Sequence, residues 1–310
     1  MRILYYLKKG IKYVINSDAR FIHSISKGNY HTEMSDIEYL SKLWRGLNGY
    51  ELNWNNPKNY TEKLQWLKVF DRRPEYAKMV DKAEAKKYVS NIIGEDYIIP
   101  SYGVWDRYDD ICFDDLPQQF VLKTTHDSGG IFIIKNKKEI NHKELKDRIN
   151  TRLNDDYWLR SRETVYEKVP HRIIAEKLIS AGTPVDYKVL CFNGKAEYIE
   201  FLQGRHTNNF TQDIYDTDWN LTSYSQKNEV TSGIPVTKPR NLEKMVRLSE
   251  LLSKGIPELR VDWYEVEGKL YFGELTFYDS GGMLPYTPPE FERKLGNLID
   301  LPCGGKNGMA

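Results

Sequence analysis

The 310 residues carry 45 Lys and Arg against 44 Asp and Glu, a formal charge of +1, which excludes the basic excess of a general nucleic-acid binder. A chain of this length buries substantial cores in two or three subdomains. Cys112, Cys191 and Cys303 have no paired spacing, so they read as reduced cytosolic thiols rather than a disulfide framework or a zinc site.

The opening MRILYYLKKGIKYVI places Leu4, Leu7, Ile11 and Val14 on one helical stripe beside lysines. Such a helix packs on the protein's own body or rests on a membrane surface. Lys8, Lys9 and Lys12 make it a poor signal peptide, and no apolar run is long enough to span a bilayer. Ser35-Asp36-Ile37-Glu38 has capping-box spacing and starts an amphipathic helix through Leu40, Leu43 and Leu47, ending near Gly46 or Gly49. A second helix starts near Thr61. A third follows Pro74 and runs to Gly94.

From Tyr97 the pattern becomes strand-like over Tyr97–Val104, Gln119–Thr125 and Ile131–Lys135. Between the last two, His126-Asp127-Ser128-Gly129-Gly130 is a Gly-rich loop able to wrap backbone N–H groups around phosphate. It is neither a Walker pattern nor a dinucleotide fingerprint. Lys123 lies in an otherwise apolar strand and wants an anionic partner. Asn141 and Glu144 cap the next helix, Arg172–Ile179 is a strand, and Asn193-Gly194 turns a hairpin. Asp186 and Lys188 share one face of that hairpin. Thr207–Pro239 reads as an irregular, substrate-facing loop. A helix through Leu242, Met245, Leu248 and Leu252 stops at Gly255.

The stretch RVDWYEVEGKLYFGELTF (260–277) then reads as a buried hairpin turning at Glu267-Gly268-Lys269. It carries Arg260, Asp262 and Glu274, which a buried sheet excludes unless they are paired. Register decides their use. A two-residue turn puts Asp262 and Glu274 on opposite faces, whereas a three-residue turn or a bulge sets them across from each other. At a Cβ separation of roughly 4.5–5.5 Å, two carboxylates can share one hard cation. The plainer alternative is an Arg–Asp ion pair with an exposed Glu at the sheet edge.

DKAEAKKYV (81–89), FVLKTTHDSGG (120–130), IIAEKLI (173–179), DYKVLCFNGK (186–195) and the 260–277 hairpin occur in an order that resembles the ATP-grasp enzymes. NYTEKLQWLKVFDRRPEYAKMVDK (59–82) and the phrase FGELTF bring the likeness closest to the subgroup named for the teichuronopeptide biosynthesis protein TupA. The resemblance covers about residues 35–300. It implies an α+β ATP-grasp fold, two α+β subdomains clamping ATP between antiparallel sheets. The helical N-terminal region would span 1–95, the small subdomain with its lid loop 96–180, the metal and substrate subdomain 181–300, and a tail 301–310.

The resemblance further implies ATP and Mg²⁺ as cofactors. Lys86 or Lys87, with Lys87 preferred, would reach the phosphates, and Lys123 would contact phosphate or adenine. Ser128, Gly129 and Gly130 would form the lid, while Glu176, Lys177 and Ile179 would form the adenine hinge. Asp186 and Lys188 would lie near ribose and phosphate. Asp262, Glu274 and Thr276 would hold metal, and Arg260 would bind the transferring phosphoryl group, with Lys123 and Lys188 assisting catalysis. Thr276 departs from the Asn usual two residues after the Glu. Asp127 lies where phosphates should, which is unhelpful unless it points away.

These roles imply a carboxylate–amine ligase working through an acyl phosphate, with a uronic acid or related carboxylate of a capsular or cell-surface polysaccharide as acceptor and an amine as donor. The expected location is cytoplasmic, with residues 1–15 a candidate peripheral contact at the inner membrane face; no nucleic-acid partner is expected. A carbohydrate kinase would use the same groups. A metal-dependent glycosyltransferase would instead use Asp216 and Asp218, a D-x-D triplet in an acidic turn.

Overall fold

The structure, a computed structural model, describes residues 17–302 other than 183 and 206. The helix expected over residues 1–15 and most of the tail lie outside the described residues. Ser35 caps the helix Asp36–Asn48 by accepting from the Glu38 N–H, and Gly49 closes it in the left-handed conformation. The next helix, Tyr60–Phe70, begins where the Glu62 carboxylate takes the N–H of Asn59 at 3.1 Å. The helix expected from Pro74 to Gly94 is two, Tyr76–Val80 and Glu84–Ile93. Asp81 separates them because its carboxylate accepts from the Ala83 N–H, a local bond that competes with helix continuation.

A small antiparallel sheet follows, built from β1 (Ser101–Trp105), β2 (Phe120–Thr124), β3 (Ile131–Ile134) and β4 (Ile173–Lys177), in the order β1-β4-β2-β3. Strand alternation sorts its faces. Phe120, Leu122, Phe132, Ile173 and Ala175 pack with Leu145 and Ile149 of the helix His142–Leu153. Val121, Lys123, Ile131, Ile133 and Glu176 line a pocket on the other side. The first strand is shorter than expected because Glu95–Tyr97 forms a 3₁₀ turn.

The larger sheet comprises β5 (Asp186–Phe192), β6 (Lys195–Gln203), β7 (Thr211–Asp216), β8 being a separate short strand (Ser225–Gln226), then β9 (Glu258–Val266) and β10 (Lys269–Thr276). Its order is β10-β9-β5-β6-β7, antiparallel throughout; β8 pairs with β11 (Tyr286–Thr287). β7 corrects the reading of 207–239 as irregular. Gln212, Asp213, Ile214 and Tyr215 are buried, and Asp213 holds the following loop by accepting from Ser232 N and Oγ at 2.9 and 2.6 Å.

The helix Leu242–Leu252 covers one face of this sheet, where Trp263 Nε1 donates to Ser249 Oγ at 2.8 Å. The opposite face carries Asp186, Lys188, Glu200, Arg260 and Asp262. One end of it is roofed by the helices Tyr60–Phe70 and Pro289–Leu298, through Tyr60 on Phe192 and Phe291 on Tyr198. The helices of 60–93 thus share one core with the large sheet. The other end of that face is left for the cleft.

Gly296 seats the last helix against the start of Tyr60–Phe70, where an added Cβ would lie 2.2 Å from Lys58 O and 2.8 Å from Tyr60 N. Both are backbone atoms that cannot swing away. Gly296→Ala should therefore destabilise the protein by about 1–3 kcal/mol in urea unfolding; an unchanged midpoint would contradict this packing.

Candidate active site between two sheets

β9 and β10 join through Glu267-Gly268, both at positive φ, a two-residue turn. By itself that turn would put Asp262 and Glu274 on opposite faces. A bulge intervenes: Phe272 pairs with Trp263 and Leu275 with Val261, so Gly273 and Glu274 together oppose Asp262. Gly273 permits it, since a Cβ there would stand 3.0 Å from Asp262 O. The bulge brings Arg260, Asp262, Glu274 and Thr276 together.

Arg260 is their hub. Nε and Nη2 reach the two Asp262 oxygens at 2.7 and 2.8 Å. Nη2 also meets Glu274 Oε1 at 3.2 Å and Thr276 Oγ1 at 3.1 Å, while Nη1 donates to Asp279. The ion pair of the plainer reading is therefore present, extended to three carboxylates. In this structure Arg260 organises the acids rather than standing open to a phosphoryl group, and the Thr276 hydroxyl is already engaged by Arg260 and Glu274.

Lys188 lies in register between Glu200 on β6 and Asp262 on β9. Glu200, Asp262, Glu274 and Asp279 thus face Lys188 and Arg260, four acids against two cations, an excess of two negative charges if all ionise. Burial pushes Asp262 up to about 6, although Arg260 and Lys188 pull it down. The Glu274 side chain is 47% exposed at the cleft edge; what desolvation it meets raises it, but Arg260, Lys82, Lys188 and Lys123 outweigh this and hold that carboxyl below its ordinary value. Among the described residues no three His, Cys, Asp or Glu side chains form a closed cation cage. One or two carboxylates completed by phosphate oxygens and waters suit Mg²⁺, and Asp262 and Glu274, on a sheet face with more acids than cations, fit a divalent ion.

Above this floor, β2 and β4 present Lys123 and Glu176. Glu176 is buried, with Lys86 at 2.8 Å and Lys123 at 2.6 Å. Burial works to raise its carboxyl, yet the two lysines hold it at about 2. The neighbouring pocket is bounded by Val121, Ile131 and Ile133 from the small sheet, by the segment 177–180 containing Lys177 and Ile179, and by Asp186, Arg205 and Tyr264 from the large one. It holds about 140 Å³. Asp186 Oδ2 takes Arg205 at 3.0 Å, whereas its buried Oδ1 has no hydrogen-bond partner among the described residues.

The Gly-rich loop closes the third side. Asp127 points down into its base, accepting from Thr124 Oγ1 and lying 3.4 Å from Arg152 Nη1. Lys82 donates to the Asp127 carbonyl. Gly130 is required, because a Cβ would stand 1.8 Å from Thr124 Oγ1, and Gly129 is at positive φ. Ser128 and Gly129 are the exposed part of the turn.

The sequence model of the TupA-like ATP-grasp family matches residues 62–300. The chain belongs to that family. No curated protein matches it. Among solved structures, this TupA-like ATP-grasp protein is similar to D-alanine–D-alanine ligase from Bacillus anthracis complexed with ATP, at 20% identity, covering 71% of this chain and 63% of that one with a TM-score of 0.39. It is also similar to D-alanyl-alanine synthetase A from Vibrio cholerae, at 12% identity, 68% and 59% coverage and a TM-score of 0.40. Phosphoribosylamine–glycine ligase from Thermotoga maritima shows 12% identity, 65% and 48% coverage and a TM-score of 0.40. The chain thus spans under two thirds of each of these three, and no residue role follows from likeness at these scores.

Within the TupA-like protein several expectations shift. Lys87 is exposed, and Lys86 on the same helix reaches Glu176 instead. Asp216 is spent on a turn, accepting from the N–H groups of Asp218 and Asn220 at 3.0 and 2.8 Å, while Asp218 is exposed. Lys82, Asp279 and Glu200 were not singled out by sequence. Lys82 had a signal in the same DKAEAKK run. Asp279 and Glu200 had none, since only tertiary packing brings them to Arg260 and Lys188.

Glu200 is fully buried, its Oε1 taking the Tyr286 hydroxyl at 2.6 Å and its Oε2 without a hydrogen-bond partner among the described residues. Burial and then Asp279 raise it to about 7, against the pull of Lys188 and Arg260. A carboxyl with a folded pKa above its unfolded one makes folding favourable at low pH and loses that contribution as pH rises from about 4.5 to about 7. Glu200→Gln should flatten that slope, by about 3 kcal/mol across the window in urea unfolding at stepped pH. An identical pH profile in the variant would contradict the assignment.

Proposed function

We propose that this protein uses ATP and Mg²⁺ to activate a carboxylate as an acyl phosphate and joins it to an amine. The observation that carries this reading is the meeting of two charge systems across one cleft. Roof lysines Lys82 and Lys123 act on the floor carboxylate Glu274, beside a pocket that both sheets line. A triphosphate and a carboxylate must be brought together there against their mutual repulsion.

The apolar side chains of Val121, Ile131 and Ile133 would pack on the base, with Lys177 and Ile179 at the hinge. Asp186, on the large-sheet side of the pocket, would accept a ribose hydroxyl. Lys86 and Lys123 place two cations against one carboxylate, which leaves net positive charge for phosphate. Ser128, Gly129 and Gly130 cover the terminal phosphates and keep water out. Asp262 and Glu274 would hold Mg²⁺, which would supply Lewis-acid neutralisation of the phosphate oxygens. Lys188 adds a fixed positive charge at the reacting group, and Arg260 keeps the carboxylates in place. An acceptor carboxylate oxygen then attacks the γ-phosphorus and ADP leaves; the amine nitrogen attacks the acyl carbon and inorganic phosphate leaves.

For the acceptor we favour a uronic acid or related carboxylate of a capsular or cell-surface polysaccharide. Support comes from the subgroup's association with envelope glycopolymers, an analogy of family rather than of site. The setting that suits it is the cytoplasmic side of the membrane, with residues 1–15 as its contact. Among the described residues no helix is long and apolar enough to cross a membrane. The glycosyltransferase reading has less support, because Asp216 accepts from Asp218 and Asn220 within its own turn while Asp218 is exposed.

Oxygen labelling separates ligase from kinase. With MgATP, an amino-acid mixture and uronates carrying ¹⁸O in the carboxylate, the released inorganic phosphate should contain one ¹⁸O per turnover, read by mass spectrometry. Formation of ADP and a phosphorylated sugar, with no labelled phosphate, would contradict the ligase.

A further inference from the structure

A second pocket, of about 440 Å³, is bordered by Leu47 and Asn48 from the helix Asp36–Asn48, by Lys227 and Asn228 after β8, and by Ser280 and Met283 beside the floor. That volume lies within the ~300–1,000 Å³ usual for small-molecule sites. We propose that this pocket is an acceptor subsite for an acidic, hydroxyl-rich group, the sugar next to the one whose carboxylate is activated. The proposal rests on the ligase reading and adds that the acceptor is an anionic glycan held at two points.

Position is the first argument. Tyr264 lines the nucleotide pocket, and Arg260, four residues back on β9, reaches Asp279. That span is about 13 Å along a strand. Ser280, the next residue, borders the second pocket. Gln226 ties the two, its Nε2 donating to Asp279 Oδ2 at 2.5 Å and to Ser280 Oγ at 3.3 Å. The pocket therefore opens at the end of the carboxylate floor remote from the base.

Chemistry is the second. The lining carries one lysine, two asparagines and one serine, with no Asp or Glu among its residues. Lys227 is exposed and enters no ion pair among the described residues. These groups match an anion surrounded by hydroxyls. Leu47, 48% exposed, and Met283 supply apolar surface for the C–H face of a sugar ring.

The rim is also built to stay in place. Ser280, at positive φ without being glycine, is a strained position that persists only when its surroundings hold it, and Gly281 and Gly282 continue the left-handed path freely. Buried Lys68 donates to Gly281 O, Gln65 Oε1 and Ser161 O, and Gln65 Nε2 donates to Gly282 O. Two side chains of the helix Tyr60–Phe70 are thus devoted to fixing the loop that joins this pocket to Asp279.

The test is calorimetric binding of hexagalacturonate, with galacturonic acid and neutral maltohexaose as comparisons, at saturating MgADP. Wild type should bind hexagalacturonate in preference to both. Lys227→Ala should weaken it about tenfold, the scale of a lost hydrogen bond to a charged group, and Lys227→Arg should recover most of the affinity. Affinity for MgATP should stay unchanged in both variants. Equal binding of the neutral glycan, no binding of hexagalacturonate, or affinity indifferent to Lys227→Ala would each overturn the subsite. Loss of MgATP binding in wild type would instead overturn the ligase reading beneath it.

Discussion

The site depends on one buried cation. Arg260 lies in the middle of β9 with a side chain 6% exposed, and it holds Asp262, Glu274 and Asp279 at once. Unpaired, the buried Asp262 and Asp279 would each be expensive to desolvate, while Glu274, 47% exposed, stands at the cleft edge. Their charges are tolerated because one planar guanidinium meets all three in fixed directions. The same pinning holds the acids at the mouth of the cleft. Removing Arg260 would leave buried carboxylates without their partner, a fault of stability as well as of chemistry.

The roof repeats the device with the sign reversed. There one carboxylate, Glu176, is held between Lys86 and Lys123, so the small sheet presents surplus positive charge to the large sheet's surplus negative charge. A nucleotide with a divalent ion satisfies both. The helices before the first strand are part of this arrangement. The helix Glu84–Ile93 supplies Lys86, and Tyr60–Phe70 supplies the clamp on the loop after Asp279.

Much of this was legible in the residues. Alternation in FVLKT placed Lys123 opposite its apolar neighbours, Asn193-Gly194 announced a hairpin, and charges inside the 260–277 hairpin marked it as the site. The order of motifs pointed to the family. Other parts had no local signal. The hairpin register rests on a bulge at Gly273-Glu274, which sequence left open between two outcomes. β7 was hidden because TQDIYD is itself half polar and flanked by polar turns, and the sheet rather than propensity fixes it. The choice of Lys86 over Lys87 depends on helix phase, reset when Asp81 breaks the preceding helix. Glu200 and Asp279 are distant in sequence from the groups they face, and only sheet pairing and loop closure bring them there.

The central claim is that roof and floor bind one nucleotide jointly. It is tested most directly by titrating wild type, Lys123→Ala and Glu274→Gln with MgATP and with magnesium sugar nucleotides in a calorimeter. The account predicts MgATP binding in wild type, weakened at least tenfold by either change, and no heat from sugar nucleotides. Sugar-nucleotide binding indifferent to Lys123, or MgATP affinity untouched by both substitutions, would contradict it.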